Sequence, residues 1–332
     1  MPGETGALEK NACLMAVELG KVAVSARPLP ALCDDELRIK VEHTMVSPGT
    51  ELHHITGTHT KKTVFPSATG YISVGRVVGM GAKVEGFMPG ARVLAQHGHA
   101  AHHNAKPNSV LPIPEGVENV DAAAAILLGV SIRGVRGGEV RIGDSVAVFG
   151  LGVIGAYALH LSKVAGAYPV IGVDPVPMRR DIAKQLGADF VFDPRACDAG
   201  AEIRRVTNNA GARVVMDATG TPQVMASLPD LTAEFGKLVV LGGVHGIVPM
   251  DLYTRFQKSN LTMVGCGSPY PGDYPFDDRG NRKALLEMIR AGMVRPRPAL
   301  THCVSWREGP ELYRMLNEEK QKVMGVAFDW TK

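Results

Sequence analysis

The sequence predicts an α/β protein in which a doubly wound parallel sheet is inserted into a β-rich domain. Three observations support this fold class. A glycine-rich turn joins an apolar strand to a helix within residues 144–164, six strands alternate with helical stretches over residues 122–266, and short alternating strands separated by Pro and Gly turns occupy residues 1–121. The 332 residues are enough for two domains with cores of their own.

Composition and charge exclude several classes of protein. Apolar residues make up 45% of the chain, the net charge is +3, and we find no long basic run. Nor does any apolar run reach the roughly 18 residues of a membrane helix, so neither nucleic acid nor membrane is an expected partner. The five cysteines are widely spaced and form no C-x-x-C pair, namely Cys13, Cys33, Cys197, Cys266 and Cys303. This pattern argues against disulfides and favours a reducing, cytoplasmic compartment.

The stretch G-L-G-V-I-G carries the strongest functional signal. The apolar run V-A-V-F precedes it and a helical stretch follows it. Gly150 permits the tight turn, Gly152 lets the backbone approach a pyrophosphate, and Gly155 lets helix and strand pack closely. Val153 and Ile154 begin the helix, whose N-terminus favours the pyrophosphate charge. The pattern therefore predicts a dinucleotide-binding site.

The next apolar strand, P-V-I-G-V, ends in an acid that bears on the choice of dinucleotide. Asp174 lies about 20 residues beyond the glycine turn, where a carboxylate can accept both ribose hydroxyls and repels a 2′-phosphate. NAD is therefore predicted over NADP, although Arg179 and Arg180 keep NADP open because either could pair with a phosphate. Thr219 and Gly242, at the ends of two later strands, complete the predicted cofactor-binding set.

The segments on either side of the doubly wound region are predicted to belong together. Residues 1–121 contain short alternating runs such as E-L-R-I-K-V-E. Residues 267–332 contain a loop rich in Pro, Tyr and Asp, two helical stretches and the strand K-V-M-G-V-A-F-D-W. The second segment is too small to fold alone, so we expect it to complete the first domain, with residues 122–266 as the inserted dinucleotide-binding domain.

Several motifs resemble those of the medium-chain dehydrogenase/reductase superfamily over nearly the whole chain. They are S-P-G-T-E at residues 47–51, T-G-Y-I-S-V-G-R-V-V-G-M-G at 69–81 and V-A-V-F-G-L-G-V-I-G at 146–155. The resemblance implies a GroES-like catalytic domain, a Rossmann domain, an NAD(P)-dependent enzyme and a dimer. S-x-G-T-E followed by G-Y is similar to a branch that includes hydroxyethyl bacteriochlorophyllide dehydrogenases, which oxidise a secondary alcohol to a ketone.

The resemblance also indicates which zinc ligands are missing. Zinc-dependent members place a cysteine in the first motif, His-Glu in the second, and an acid or cysteine before the Rossmann strand. The corresponding positions here are Ser47, Tyr71 and Ile72, and about Ile126 and Leu127, none of which is a good zinc ligand. The four cysteines of the structural-zinc lobe are missing as well. We therefore predict no metal.

Two weaker metal hypotheses stay open at this point. Glu51 with His53 and His54 could form a new site. The stretch Q-H-G-H-A-A-H-H-N supplies further imidazoles, at His97, His99, His102 and His103. A histidine-rich strand edge and turn is the favoured interpretation of the second group.

Without a metal, hydrogen-bonding side chains must polarise the reacting oxygen. Hydride removal from an alcohol needs a base, and the reverse reaction needs a donor where oxyanion charge develops. The candidate catalytic residues are Ser47, Thr50, Glu51, His53 and Tyr71. Tyr71 is the candidate acid/base, and Glu51 could orient it. A structural role stays open for Thr50 as a turn residue and for Glu51 as a ligand of loop amides.

These inferences predict a zinc-independent, NAD-preferring oxidoreductase that acts on a secondary alcohol or its ketone, with a hydroxylated substrate such as a sugar, cyclitol or natural product. Two alternatives remain. One is an NADPH-dependent enoyl or quinone reductase, which Asp174 disfavours; the other is a dinucleotide-binding sensor or scaffold without catalysis. The apolar strand L-T-M-V-G-C-G at the predicted sheet edge predicts a homodimer.

Overall fold

The first part of the chain forms short strands and one amphipathic helix. A computed structural model describes residues 10–58, 63–268 and 277–332. The elements of its first part are β1 (Lys10–Glu18), β2 (Lys21–Pro28), β3 (Leu37–Met45), α1 (Pro48–Ile55), β4 (Ser67–Ala68), β5 (Ser73–Met80), β6 (Arg92–Ala95), β7 (His102–Ala105) and β8 (Val110–Pro112).

The middle of the chain alternates helices with buried strands. Its described elements are α2 (Asn119–Gly137), β9 (Val146–Phe149), α3 (Val153–Val164), β10 (Val170–Val173), α4 (Pro177–Gln185), β11 (Phe190–Phe192), α5 (Ala199–Val206), β12 (Ala212–Asp217), α6 (Pro222–Ser227), β13 (Thr232–Val240), β14 (Thr262–Gly265) and α7 (Asp278–Arg290). The strands are parallel, in the order β11-β10-β9-β12-β13-β14. This is the doubly wound sheet that the sequence predicts.

The last part of the chain returns to the β-rich sheet. It contains β15 (Leu300–Ser305), α8 (Gly309–Glu318) and β16 (Gly325–Asp329). The sheet runs β15-β16-β3-β5-β6-β8 with β7 on β3, and β2-β1-β4 form a second sheet. Short helical turns complete the description, at Pro107–Ser109, Leu228–Leu231, Leu252–Lys258, Arg297–Ala299 and Trp306–Glu308.

The described residues divide into two compact units. Unit 1 runs to Ala124 and resumes at Leu300, and unit 2 comprises Ala125–Ala299, with α2 crossing the first division. The predicted first boundary, at residue 121, lies close to this division. The second prediction differs from the structure, because the described part of residues 267–299 belongs to unit 2 and does not complete the β-rich domain.

Hydrogen bonds to helices explain the position of this later boundary. The Arg133 guanidinium donates to the Gly267 carbonyl over 3.2 Å, and the Tyr157 hydroxyl donates to the Pro296 carbonyl over 3.2 Å. The Arg295 amide donates to Nε2 of His160 over 3.0 Å. Apolar periodicity does not reveal these long-range contacts, so the sequence placed the boundary at the last strand of the parallel sheet.

Each unit has its own apolar core. In unit 1, β1, β3, β16 and α8 bury one continuous cluster, against which the stacked rings of Trp306 and Trp330 pack with centroids 4.7 Å apart. In unit 2, alternating residues of the parallel strands pack against the flanking helices, as Ile171 and Val215 illustrate. Among the described residues, no helix is both long and apolar enough to cross a bilayer.

The buried histidine of β7 predicts loss of stability in acid. His103 is 2% exposed, its Nε2 lies 3.0 Å from the Ser73 hydroxyl, and its ring stacks on that of His97. Burial, reinforced by His97, lowers the pKa of His103 to about 3. The folded state therefore favours the neutral ring. The contribution of His103 to the free energy of unfolding is fully present above the unfolded pKa of about 6.5, and it is lost as the pH falls toward 3.

We expect His103→Gln to weaken the acid sensitivity of folding. Between pH 7 and pH 4, protonation of this ring in the unfolded state should lower the free energy of unfolding of the wild type by about 3 kcal/mol. The variant has no imidazole at this position and should not show this decrease. Urea unfolding of both proteins between pH 7 and pH 4 measures the difference in slope. His245→Gln, at an exposed position, is the control and should follow the wild type. Equal slopes for all three proteins would contradict the prediction.

Candidate functional site

Unit 1 contains a cavity that brings the two predicted motifs together. Its volume is about 200 Å³. The residues that line it come from α1, from the end of β4 and from the segment that follows β4, namely Thr50, Glu51, His54, Ile55, Ala68, Thr69, Gly70 and Tyr71. Thus Thr50, Glu51 and Tyr71, three of the predicted catalytic residues, lie at one cavity, although they belong to separate stretches of the sequence.

The helix that carries part of this wall begins with an unusual cap. Ser47 is the N-cap residue, but its hydroxyl makes no capping bond and instead lies 3.4 Å from that of Thr50. Pro48 occupies the first helical position, which its fixed φ suits. The side chain of Glu51 reaches back and accepts the Ser47 amide over 2.7 Å. Glu51 therefore satisfies the amide of the N-cap residue itself.

Glu51 is the centre of a buried polar network. Its Oε2 accepts the Tyr313 hydroxyl of α8, and Nε2 of His99 lies 3.3 Å from the same oxygen. Glu51, His99 and Tyr313 are 5%, 1% and 3% exposed. Burial, reinforced by the charge of Glu51, raises the pKa of Tyr313 well above its usual value, so the hydroxyl keeps its proton. Tyr313 was not among the predicted site residues, because no local sequence pattern links it to residue 51.

The two adjacent histidines of α1 have different surroundings. His53 is exposed, and its Nδ1 lies 2.7 Å from the Thr58 hydroxyl. His54 lines the cavity, and its Nε2 lies 2.9 Å from the Ser67 hydroxyl. Thus His54 is the histidine that lines the cavity, whereas the predicted His53 does not line it. Ser47 is buried beneath this wall and does not line it.

In unit 2, each glycine of the predicted dinucleotide turn has its own environment. Gly150 has a φ of +84°, which favours glycine. A Cβ at Gly155 would lie 1.8 Å from the Gly150 carbonyl oxygen, so only glycine allows this close packing. A Cβ at Gly152 would meet no heavy atom within 4 Å, and α3 begins at the next residue, Val153. This open space in front of a helix N-terminus suits a pyrophosphate.

Asp174 is placed directly beside this turn. It is 2% exposed, and its two carboxylate oxygens accept the amides of Leu151 and Val176, each over 2.8 Å. Each oxygen has a further lone pair, so the carboxylate can still accept ribose hydroxyls. An Arg179 guanidinium nitrogen lies 3.6 Å away, whereas Arg180 donates to the backbone carbonyl of Asp174. These contacts fit the predicted adenosine end of a dinucleotide.

Thr219 and Gly242 adjoin the same turn through a buried acid. The amide and hydroxyl of Thr219 donate to one carboxylate oxygen of Asp217, over 2.9 and 2.6 Å. The amide of Gly242 donates to the backbone carbonyl of Asp217 over 2.7 Å. A Cβ at Gly150 would lie 2.9 Å from the Thr219 amide nitrogen. The predicted residues from three strand ends are therefore close neighbours at the carboxyl edge of the sheet.

The chain is similar in sequence to known dehydrogenases. Residues 153–277 match a family model described as zinc-binding dehydrogenase. The D-guloside 3-dehydrogenase of Escherichia coli K12 is 32% identical over 227 residues, 65% of this chain and 64% of that protein. The scyllo-inosose 3-dehydrogenase of Thermotoga maritima is 44% identical over 197 residues, 57% of this chain and 47% of that protein. Over these stretches the chain is therefore similar to dehydrogenases.

The likeness of fold extends over nearly the whole chain, whereas the two sequence matches cover less than two thirds of the length of either relative. A dehydrogenase from Sinorhizobium meliloti 1021, described as zinc-binding and solved with NADP bound, superposes with a TM-score of 0.85 at 21% identity. The superposition covers 97% of this chain and 99% of that one. It confirms the predicted fold class.

The zinc implied by the name of the family model has no three-ligand site among the described side chains. Within the described ranges, no group of three or more His, Cys, Asp or Glu residues is arranged to hold a metal ion. The hypothetical site of Glu51, His53 and His54 is disfavoured, because the Glu51 oxygens already accept other donors and His53 contacts Thr58. In the histidine-rich stretch, His99 contacts Glu51, and His103 contacts a serine.

Proposed function

We propose that this enzyme interconverts a secondary alcohol and a ketone on a polyhydroxylated substrate, with NAD preferred over NADP and without zinc. The observation that carries the proposal is the cavity of unit 1, whose wall combines hydroxyl, imidazole and carboxylate side chains. Two relatives named for the oxidation of a guloside and an inosose support a ring-hydroxyl substrate. We infer this substrate class for the present chain from that likeness and from the polar wall.

In unit 2, the chain's own groups are suited to hold the dinucleotide. The space at Gly152 and the amides of Val153 and Ile154 would receive the pyrophosphate, and Asp174 would accept the ribose hydroxyls. When bound, NAD(P) supplies the hydride acceptor or donor. We infer NAD because the buried carboxylate of Asp174 repels a 2′-phosphate. Arg179 beside it can pair with a phosphate, so NADP is the alternative cofactor.

In unit 1, the cavity residues are suited to accept the proton of the substrate hydroxyl and to return it in the reverse reaction. Tyr71 and His54 both line the cavity and can exchange a proton, and Thr50 and Thr69 add hydroxyls that can orient further substrate hydroxyls. We propose Tyr71 and His54 as the acid/base candidates. Glu51 is not proposed as the base, because its oxygens already contact the Ser47 amide, the Tyr313 hydroxyl and Nε2 of His99.

The zinc-independent character of this reaction is supported by the donor set. Ser47, Tyr71 and Ile72 stand where zinc-dependent members have ligands, and the S-x-G-T-E motif is similar to a zinc-free branch. Hydrogen-bond donors aimed at a developing oxyanion contribute about 2.7–4 kcal/mol each in other enzymes, which is enough to replace part of the polarisation by a metal.

An alcohol panel with a chelator tests this proposal. Methyl glycosides and cyclitols are offered with NAD⁺ or NADP⁺, before and after treatment with 1,10-phenanthroline, and nicotinamide reduction is followed at 340 nm. We expect turnover of at least one ring alcohol, a preference for NAD⁺ and no loss after chelation. Stoichiometric zinc in the active protein, lost together with activity, would refute zinc independence.

The two alternative functions give different results in the same assay. Rapid NADPH consumption with an α,β-unsaturated ketone, without alcohol turnover, would indicate an enoyl or quinone reductase. Tight NADH binding without turnover of any substrate would indicate a sensor or scaffold. Both outcomes would contradict the proposed reaction.

We also propose a homodimer that forms through the edge of the parallel sheet. β14 is the last strand of that sheet within the described residues, and Met263 on it is 48% exposed. An uncovered apolar edge favours pairing with a second copy. Sedimentation at about twice 35.3 kDa is expected, and Met263→Lys should shift it toward the single mass. A wild-type protein that sediments as a monomer would exclude this assembly.

A further inference from the structure

We propose that Tyr313 and His99 are positioning residues of the unit 1 cavity and act through Glu51. They fix the two walls of the cavity relative to each other. One wall carries Thr50 and His54, and the other carries Thr69, Gly70 and Tyr71. The inference deepens the proposed function, because it concerns the same cavity. Neither Tyr313 nor His99 is among the residues that line the cavity, so any effect they have on substrate must pass through other side chains.

Three contacts converge on the carboxylate of Glu51. Glu51 accepts the amide of Ser47, four residues earlier in the chain, and the hydroxyl of Tyr313, 262 residues later. His99, 48 residues later, supplies a third contact, with its Nε2 lying 3.3 Å from Oε2 of Glu51. A buried carboxylate needs such donors, because its charge is costly to remove from water.

Tyr313 is a rigid source of one of these donors. Its ring is buried in the unit 1 core among side chains of α8 and β16, including Leu312, Leu316 and Phe328. Burial raises the pKa of Tyr313, so the hydroxyl keeps its proton and donates to Glu51. The hydroxyl therefore joins α1 to the core of unit 1 at a fixed point.

His99 connects Glu51 to the opposite wall of the cavity. Its backbone amide donates to the Thr69 carbonyl over 2.9 Å, and its ring packs edge-on against Phe328. Gly70 has a φ of +76°, and a Cβ there would lie 2.5 Å from the His99 ring, so the ring lies directly against the backbone of this wall. Among the described residues, Nδ1 of His99 has no hydrogen-bond partner, which leaves Glu51 as the polar contact of the ring.

These contacts form a continuous path from α8 through Glu51 and His99 to the segment at Thr69 and Gly70. Thr50 and His54 lie on the same helix as Glu51, one residue before and three after it. Loss of a donor to Glu51 should therefore loosen the start of α1 and misplace these two side chains. It should leave dinucleotide binding unchanged, because the cofactor residues belong to unit 2.

Hydrogen–deuterium exchange of α1 in Tyr313→Phe tests the inference without a known substrate. The variant removes one oxygen from a buried donor, and we expect amide exchange in residues 48–55 to become about tenfold faster, while exchange in unit 2 is unchanged. Glu51→Gln is the second variant and should produce the same local effect even if Tyr313→Phe folds poorly. Tyr168→Phe, at a tyrosine that is 62% exposed, is the matched control.

Kinetics with an alcohol identified from the panel give the second measurement. We expect kcat to fall about tenfold in Tyr313→Phe with the KM for NAD⁺ unchanged. The double variant with Glu51→Gln should lose no more than Glu51→Gln alone, because both changes remove the same interaction. An altered KM for NAD⁺, or additive losses, would overturn a role through Glu51.

The exchange result separates this inference from the proposed function. If α1 exchanges at the wild-type rate in both Tyr313→Phe and Glu51→Gln, the positioning role is wrong whether or not an alcohol substrate exists. If α1 loosens as expected but the wild-type protein oxidises no alcohol, the positioning of the wall is supported and the proposed reaction alone fails.

Discussion

Replacement of Gly152 by valine is expected to weaken NADH binding by about a hundredfold while the protein remains fully folded. The backbone at Gly152 is extended, with a φ of −62°, which valine adopts without strain. A Cβ there would meet no protein atom within 4 Å, so the added methyl groups would occupy the space that we assign to the pyrophosphate. Titration of NADH fluorescence and a thermal melt measure the two quantities.

Gly155→Ala is the matched control at the other end of the same turn. Its Cβ would lie 1.8 Å from the Gly150 carbonyl oxygen, so strand and helix must separate. We expect a loss of at least about 3 kcal/mol in the free energy of unfolding, near the upper range for an overpacked core. If Gly152→Val binds NADH as tightly as the wild type, the pyrophosphate does not lie at this turn.

Replacement of Asp174 by serine is expected to raise the kcat/KM for NADP⁺ relative to NAD⁺ by about a hundredfold. The change removes the carboxylate that repels a 2′-phosphate, and it releases the Arg179 guanidinium, which lies 3.6 Å from that carboxylate. Arg179 can then pair with the phosphate. The ratio of the two kcat/KM values with one alcohol measures the effect.

The double variant Asp174→Ser/Arg179→Gln is the control for this switch and should lose most of the gain in NADP⁺. Asp174 also accepts the amides of Leu151 and Val176, so a thermal melt must accompany the kinetics. A folded Asp174→Ser protein with an unchanged cofactor ratio would exclude Asp174 as the residue that selects NAD.

The sequence predicted most of the dinucleotide half of the molecule because its signals are local. The strand before Gly150, the helix after Gly155 and the acid at residue 174 lie within one strand–helix–strand unit, in which apolar periodicity and turn chemistry specify the geometry. Thr50 and Tyr71 were predicted in another way, from the resemblance to the dehydrogenase superfamily, because they stand at or beside the positions of its zinc ligands. Two residues of the first stretch, Thr50 and Glu51, and the T-G-Y stretch do line one cavity.

Other features depend on the tertiary structure. His53 and His54 are neighbours, and only the packing of α1, which buries Glu51 and Ile55, decides that His54 lines the cavity and His53 is exposed. Successive helical residues differ by about 100° around the axis, so a small error in the buried face exchanges their roles.

The sequence by itself determined the fold class, the glycine turn and the acid beside it, since each follows from residues close together in the chain. Only the tertiary structure decided the position of the later boundary between the units and the partners of Glu51. Tyr313 lies 262 residues from Glu51, and a contact at that separation depends on how two strands of one sheet, β3 and β16, pair. No spacing rule for a single sequence encodes such a contact, because it arises only when the whole domain packs.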